Sequence, residues 1–190
     1  MFRTPILALA LAVVASSLLP SGLLAQSEAN YLPVGSRAPE VHFQGATRWG
    51  ALAQPSRLSD FQGKAVVVAF FPGARTPGCT IQMRAYRDEY ARVFGGGEHV
   101  VLVAVSNDPV EALESWARDE GFPFLLASDP DGELYRAFGG VPSATGRLGR
   151  TLVVLDQEGS VAELLPRFRE VDPTAYDELQ ATLEQLATKE

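Results

Sequence analysis

Two uninterrupted apolar runs, residues 65–71 and 100–105, most constrain what this chain can become. Neither alternates polar with apolar residues, so neither can lie with one face in water. Such runs read as strands covered on both faces, the condition of a sheet sandwiched between helices. Segments of helical spacing follow each of them. After residue 71, Met83, Tyr86, Tyr90 and Val93 recur at i, i+3, i+7 and i+10, which predicts a helix to about Phe94, ended by Gly95-Gly96-Gly97. After residue 105, Asp108 can cap a helix with Pro109 at its first position and Glu111 three residues after the cap. Leu113, Trp116 and Ala117 supply its apolar stripe, and Gly121 ends it.

The rest of the chain extends this alternation. Residues 30–55 are rich in Pro, Gly and polar residues and read as an arm with an edge strand at Val41-His42-Phe43. Arg57 to Lys64 reads as a turn into the first buried strand. Phe122 to Ala127 reads as a short strand, followed by a short helix carrying Leu134, Tyr135 and Phe138. Thr151 to Leu155 and Val161 to Leu165 flank the turn Gln157-Glu158-Gly159-Ser160 and read as an antiparallel hairpin. Asp172-Pro173 opens a last helix with Tyr176, Leu179, Leu183 and Leu186 on one face. Parallel units followed by a terminal hairpin and helix give an α/β domain with a mixed central sheet flanked by helices.

The N-terminus stands apart. Arg3 precedes an uncharged, almost wholly apolar run from Ile6 to Leu19, and Leu23-Leu24-Ala25 offers a small residue before a cut. This layout predicts a secretory signal peptide over residues 1–25 and a single domain over 26–190, with export to a bacterial periplasm or beyond. The alternative is a retained membrane anchor, but Pro20, Ser21 and Gly22 interrupt the stretch. Losing Arg3 takes the formal net charge from −7 to −8. That acidity argues against nucleic acid and anionic membranes as partners.

Chemistry concentrates between the first strand and its helix, in Phe70-Phe71-Pro72-Gly73-Ala74-Arg75-Thr76-Pro77-Gly78-Cys79-Thr80. Cys79 falls in or near the helix's first turn, where unpaired N–H groups and the positive end of the macrodipole favour a thiolate, the reactive form. It is the chain's one cysteine, which excludes disulfide exchange within a single chain. In an exported protein a lone thiol is an intermolecular linker, a reactive site or an inert core residue. Gly73, Gly78 and Thr80 match three positions of a phosphate-binding loop, but Cys79 stands where that loop needs Lys and Pro77 removes an N–H. His42 and His99 lie far from Cys79 and form no ligand cluster, so neither a metal nor a cofactor is expected. There is no Gly-x-Ser-x-Gly elbow.

The pattern Pro72-x-x-x-Thr76-x-x-Cys79 resembles the active-site motif of the peroxiredoxins, the AhpC/TSA superfamily. Thr76-Pro77-Gly78-Cys79-Thr80 resembles its bacterioferritin-comigratory or PrxQ-like branch, here in a one-cysteine form. Leu58-Ser59-Asp60-Phe61-x-Gly63-Lys64, Val105 to Asp108, Phe122 to Asp129 and Arg150 to Asp156 resemble further family segments. The resemblance implies a thioredoxin-like fold and a thiol-dependent peroxidase acting on hydrogen peroxide and organic hydroperoxides. It implies that Cys79 is the nucleophile, that Arg150 stabilises thiolate and leaving oxygen, that Thr76 orients the peroxide, and that Pro72 shields the thiolate. An external thiol or thioredoxin-like protein is the implied reductant, and the implied assembly is a monomer or homodimer.

Each role has a plainer competitor: Thr76 could cap the helix, Pro72 could end the strand, and Arg150 could make a surface ion pair. Arg75 and Arg147 compete for the arginine role. Three departures from the family pattern stand out. Arg84 occupies the position where a resolving cysteine is often found, Gln82 replaces a common Glu and so removes a charge partner for the arginine, and Arg75 replaces an aromatic residue. The competing function is a non-catalytic thioredoxin-like redox-sensing or binding module that uses Cys79 for mixed disulfides.

Overall fold

The computed structural model describes residues 29–187. The expected signal peptide lies outside them. Strands β1 (Gln44–Thr47), β2 (Gly50–Ala51), β3 (Ala65–Phe70), β4 (Val100–Ser106), β5 (Leu125–Ser128), β6 (Thr151–Leu155) and β7 (Val161–Leu165) form one seven-stranded sheet in the order β2-β1-β5-β4-β3-β6-β7. Helices α1 (Pro77–Asp88), α2 (Tyr90–Val93), α3 (Val110–Glu120), α4 (Glu133–Ala137) and α5 (Pro173–Ala187) fill the connections. β3 runs parallel to β4, and β4 to β5, while β6 is antiparallel to β3.

The two apolar runs occupy the centre of the sheet, as their composition requires. Ala65, Val67, Ala69 and Phe71 project into one core with residues of α1, α2, α3 and α5. Val66, Val68 and Phe70 project into the other with Leu134, Tyr135 and Phe138 of the α4 segment. Tyr86 anchors the first core, its ring 5.4 Å from Phe94 and 5.8 Å from Tyr176. Aromatic pairs of this kind contribute about 0.5–1.5 kcal/mol each beyond the area they bury.

Strand direction creates the site. Parallel β3 and β4 end on the same edge, and antiparallel β6 begins there. Phe70 pairs with both Val105 and Thr151, so the loop after β3, the turn after β4 and the residue before β6 converge.

Four local expectations are corrected. The helix after Cys79 breaks at Glu89 (φ −96, ψ 8), and α2 ends at Val93 before a 3₁₀ turn over Gly95–Gly97. The apolar spacing hides this break because Tyr86, Tyr90 and Val93 all face the same core across it. Residues 41–43 form no strand: Phe43 makes an isolated bridge to Ser56, β1 follows it, and β2 takes the sheet edge. The strand expected over 122–127 is shifted to β5, because Phe122 and Phe124 stack on each other (5.1 Å) beside Trp116 before the ladder begins. Asp108 does not cap α3; Pro109 holds that position and no side chain caps the helix.

Candidate active site

Pro77 takes the first position of α1, where its missing N–H costs nothing, and Thr76 is the N-cap residue in extended conformation. The first ladder bond of the helix runs from Thr80 N–H to Thr76 O (2.8 Å). The N–H groups of Gly78 and Cys79 therefore precede the ladder, and Cys79 sits among them, fully buried. The Thr76 hydroxyl does not cap the helix. It donates to Gly73 O (3.0 Å), which fixes its proton and leaves its oxygen lone pairs as acceptors.

Arg150 reaches the thiol from the start of β6. Its three guanidinium nitrogens have three partners. Nη2 lies 3.7 Å from Cys79 Sγ, Nη1 donates to Gln82 Oε1, and Nε lies 3.3 Å from Glu170 Oε2. Gln82 is fully buried and its Nε2 donates to Tyr86 Oη (2.8 Å), which turns the amide oxygen toward the arginine. Burial pushes the Tyr86 phenol well above its usual range, so the ring stays neutral. Gly78 is required by close approach: a Cβ there would stand 2.9 Å from Glu170 Oε1 and 3.1 Å from Arg150 Nη2.

The loop between β3 and α1 is held from β4. Asp108 Oδ2 accepts from Ala74 N–H (2.7 Å) and from the Ser106 hydroxyl (2.8 Å). Ser128 of β5 donates to Asp108 O (2.8 Å). The residue expected to cap a helix instead ties the thiol loop to its two neighbouring strands. Arg75 adopts a left-handed backbone (φ 60) and turns to Asp119 (2.5 Å) and Ser115 (3.1 Å) on α3. Such a conformation costs on the order of 1–3 kcal/mol in a residue with a Cβ. Arg147 is exposed, and its guanidinium passes over Gly73 beside a cavity of 190 Å³ that Pro72 and Thr76 also line.

Among the three arginines, then, Arg150 contacts the thiol, while Pro72 and Thr76, on the loop that leads to Cys79, line the cavity beside Arg147. Asp108, Glu170 and Tyr86 complete the arrangement but carry no local motif that marks them. The loss of a carboxylate at position 82 does not leave the arginine without one, since Glu170 supplies it from the segment between β7 and α5. Among the described residues no group of three or more His, Cys, Asp or Glu side chains converges as a metal site.

A mixed sheet of this order flanked by helices, with the thiol in the first turn of α1, is a thioredoxin-like fold. Within it the chain belongs to the AhpC/TSA family, whose pattern matches residues 34–164. It is 44% identical over 110 residues to the chloroplastic peroxiredoxin Q of Sedum lineare, covering 57% of this chain and 58% of that one. Over 119 residues it is 32% identical to a protein of Coxiella burnetii designated a peroxiredoxin bcp, covering 59% of this chain and 77% of that one. The chain spans about half the length of the chloroplastic relatives it matches. The peroxidoxin BcpB of Mycobacterium tuberculosis superposes with a TM-score of 0.70 at 26% identity, covering 84% of this chain and all of that one. A PrxQ structure from Xylella fastidiosa shares the fold with the same TM-score at 19% identity, covering 83% of this chain and 99% of that one.

Proposed function

We propose that this chain is a thiol-dependent peroxidase that reduces hydrogen peroxide and organic hydroperoxides through Cys79. The observation that carries the reading is the Arg150 guanidinium 3.7 Å from a buried Sγ at a helix N-terminus. A thiol that merely docks a partner needs neither that cation nor the oriented Thr76 hydroxyl. The guanidinium and the helix's first N–H groups both present positive charge to that sulfur.

The reaction follows from these positions. Thr76 Oγ accepts the O–H of the peroxide oxygen that will be attacked. The thiolate electron pair forms an S–O bond as the O–O bond breaks, and the leaving oxygen departs with the O–O electron pair. Arg150 faces the charge that develops on that oxygen, which then takes a proton from solvent and leaves as water or an alcohol. Sulfur is oxidised to a sulfenic acid and the peroxide is reduced by the same two electrons. A first external thiol condenses with the sulfenic acid to a mixed disulfide and water. A second thiol releases Cys79 and leaves as the external disulfide.

The reductant is an external thiol or a thioredoxin-like protein, because the sequence holds one cysteine and Arg84 stands at the resolving position. Export, by removal of residues 1–25, is supported by the apolar run and its small-residue end. Intact mass of the mature protein tests it. The acidic net charge supports a protein bound to neither nucleic acid nor an anionic membrane. Purified protein supplied with a small thiol should consume peroxide catalytically. Absence of consumption above the thiol's own background overturns the peroxidase reading.

A further inference from the structure

Arg150 lies against Cys79 because something holds it there, and the geometry points to Glu170 as the positioning residue. We infer that Glu170, on the segment entering α5, fixes the arginine that faces the thiol.

Four observations carry this. The Glu170 Oε2–Arg150 Nε distance is 3.3 Å, with 17% of the arginine side chain and 23% of the glutamate side chain exposed, so the pair is only partly screened by water. The backbone that carries Glu170 is itself fixed to the backbone that carries Arg150, through Phe168 N–H to Arg150 O (3.1 Å). Tyr176 Oη donates to Glu170 O (2.8 Å), which pins the same segment from α5. Gly78 leaves open the space that the second carboxylate oxygen and Nη2 occupy together.

Gln82 alone cannot supply the same restraint. It offers one neutral acceptor to Nη1 and leaves Nε unpaired, whereas an arginine is fixed in rotation when its Nε side and an Nη side are both engaged. The titratable groups facing Arg150 are Cys79, Glu170, Tyr86 and Tyr176. Burial raises both phenols above their usual range. Among the described residues that face it, Glu170 is the carboxylate in contact with the guanidinium.

Two roles for Glu170 predict opposite signs. If it positions Arg150, then Glu170→Ala frees the guanidinium and the thiolate loses its cation. If it only balances charge, the arginine stays, and removing a nearby anion favours the thiolate. The experiment compares Cys79 alkylation by iodoacetamide near neutral pH with alkylation above the usual thiol range, where every thiol is ionised. Positioning lowers that ratio in Glu170→Ala, and adding Gln82→Glu to the same chain restores it. Peroxide consumption should follow, falling about 10- to 100-fold in Glu170→Ala and returning to within a few-fold of wild type in the double variant. Circular dichroism and melting temperature should stay close to wild type throughout. Should Glu170→Ala fail to fold, Glu170→Met, which keeps the stem and removes both carboxylate acceptors, replaces it with the same outcomes.

An unchanged or raised ratio in the single variant, or no recovery in the double variant, overturns the assignment. The kinetic arm rests on the peroxidase reading, but the alkylation arm does not. A wild-type protein that consumes no peroxide sinks that reading and leaves the alkylation ratio to decide the role of Glu170.

Discussion

Arg150 Nη2 stands 3.7 Å from Cys79 Sγ across a separation of 71 residues. Strand direction makes the contact. Cys79 follows the end of β3, Arg150 precedes β6, and the antiparallel pairing of Phe70 with Thr151 brings those two ends together. The cation is thus delivered by the sheet rather than by the loop that carries the thiol, so loop substitutions and Arg150 substitutions should separate in their effects.

Replacing Arg150 by Met keeps the apolar stem and removes the donors. One donor lost at a developing anion costs roughly 10²–10³ in rate. We expect a loss of that order in single-turnover oxidation of Cys79 by peroxide. Arg75→Met should stay near wild type because Arg75 is engaged with Asp119 and Ser115 on α3. Arg147→Met should too, since that side chain is exposed and passes over Gly73. A comparable loss in either control would reassign the arginine.

Gly78→Ala should separate folding from chemistry. Gly78 is the second residue of α1, where the helix-interior advantage of Ala over Gly is realised only in part, so the variant's helix should be little changed in stability. Its Cβ, however, would enter the space between Glu170 Oε1 and Arg150 Nη2. The flexible end of Glu170 yields first, and the ion pair opens. Thermal melting should be unchanged or raised while peroxide turnover drops. Turnover equal to wild type would show that the close approach has no bearing on the reaction.

The sequence makes the sheet legible because β3 and β4, at its centre, are apolar runs and β6 and β7 flank a clear turn: all four fall where residues 65–71, 100–105, 151–155 and 161–165 place them. Cys79, Thr76 and Arg150 are legible through a spacing shared with a family. Glu170 is not, since it reaches the site only through the register of the hairpin and the docking of α5. Asp108 misleads for a different reason. An Asp before Pro at a helix start satisfies every local rule for a cap, and the tertiary demand of Ala74 N–H and the Ser106 hydroxyl takes its carboxylate instead. Local propensity loses wherever a buried donor from another element competes for the same oxygen.

That competition makes Asp108→Ala a test of loop anchoring. The substitution strands a backbone N–H and a fully buried serine hydroxyl. A buried group left unpaired costs about 1–3 kcal/mol. Urea denaturation should show a loss of that size. Peroxide turnover should fall as well, because the freed loop carries Thr76 and leads into the helix turn that holds Cys79. A stability loss without any change in turnover would mean that the loop holds its shape without β4.

Tyr135 gives the protein an alkaline weakness. Its pKa is pushed up to about 12, chiefly by burial, from a reference of 10.0. Below pH 10 the phenol is protonated whether the chain is folded or unfolded, and its contribution to stability is complete. Above that the unfolded chain loses the proton first, so the contribution is lost as pH rises through about 12. Tyr86 and Tyr176, also raised by burial, add to the same trend. Tyr135→Phe should therefore flatten part of the fall in urea midpoint over this window. Equal slopes for variant and wild type would contradict the linkage.

The proposed resolution of Cys79 by an external thiol is read from its products. One equivalent of peroxide should add one oxygen to the intact mass and make the protein reactive toward a sulfenate-specific reagent. Excess peroxide should carry the sulfur on to sulfinic and sulfonic acids, because no second thiol in the chain intercepts the intermediate. A small thiol added with the first equivalent should divert the sulfenic acid to a mixed disulfide, and a second thiol should release it. Cys79→Ser should remove all of these products and all turnover while melting as a folded protein. Arg84, where a resolving cysteine is often found, is committed to Glu120 (2.8 Å), and Arg84→Cys tests whether that position can serve. The rival outcome is a disulfide between Cys79 residues of two chains. Full burial of Cys79 opposes it, since two sulfurs must come within about 2 Å while each lies inside its own core. Stoichiometric appearance of that dimer on a non-reducing gel within one turnover would mean that the protein resolves through a second copy of itself and not through an external thiol.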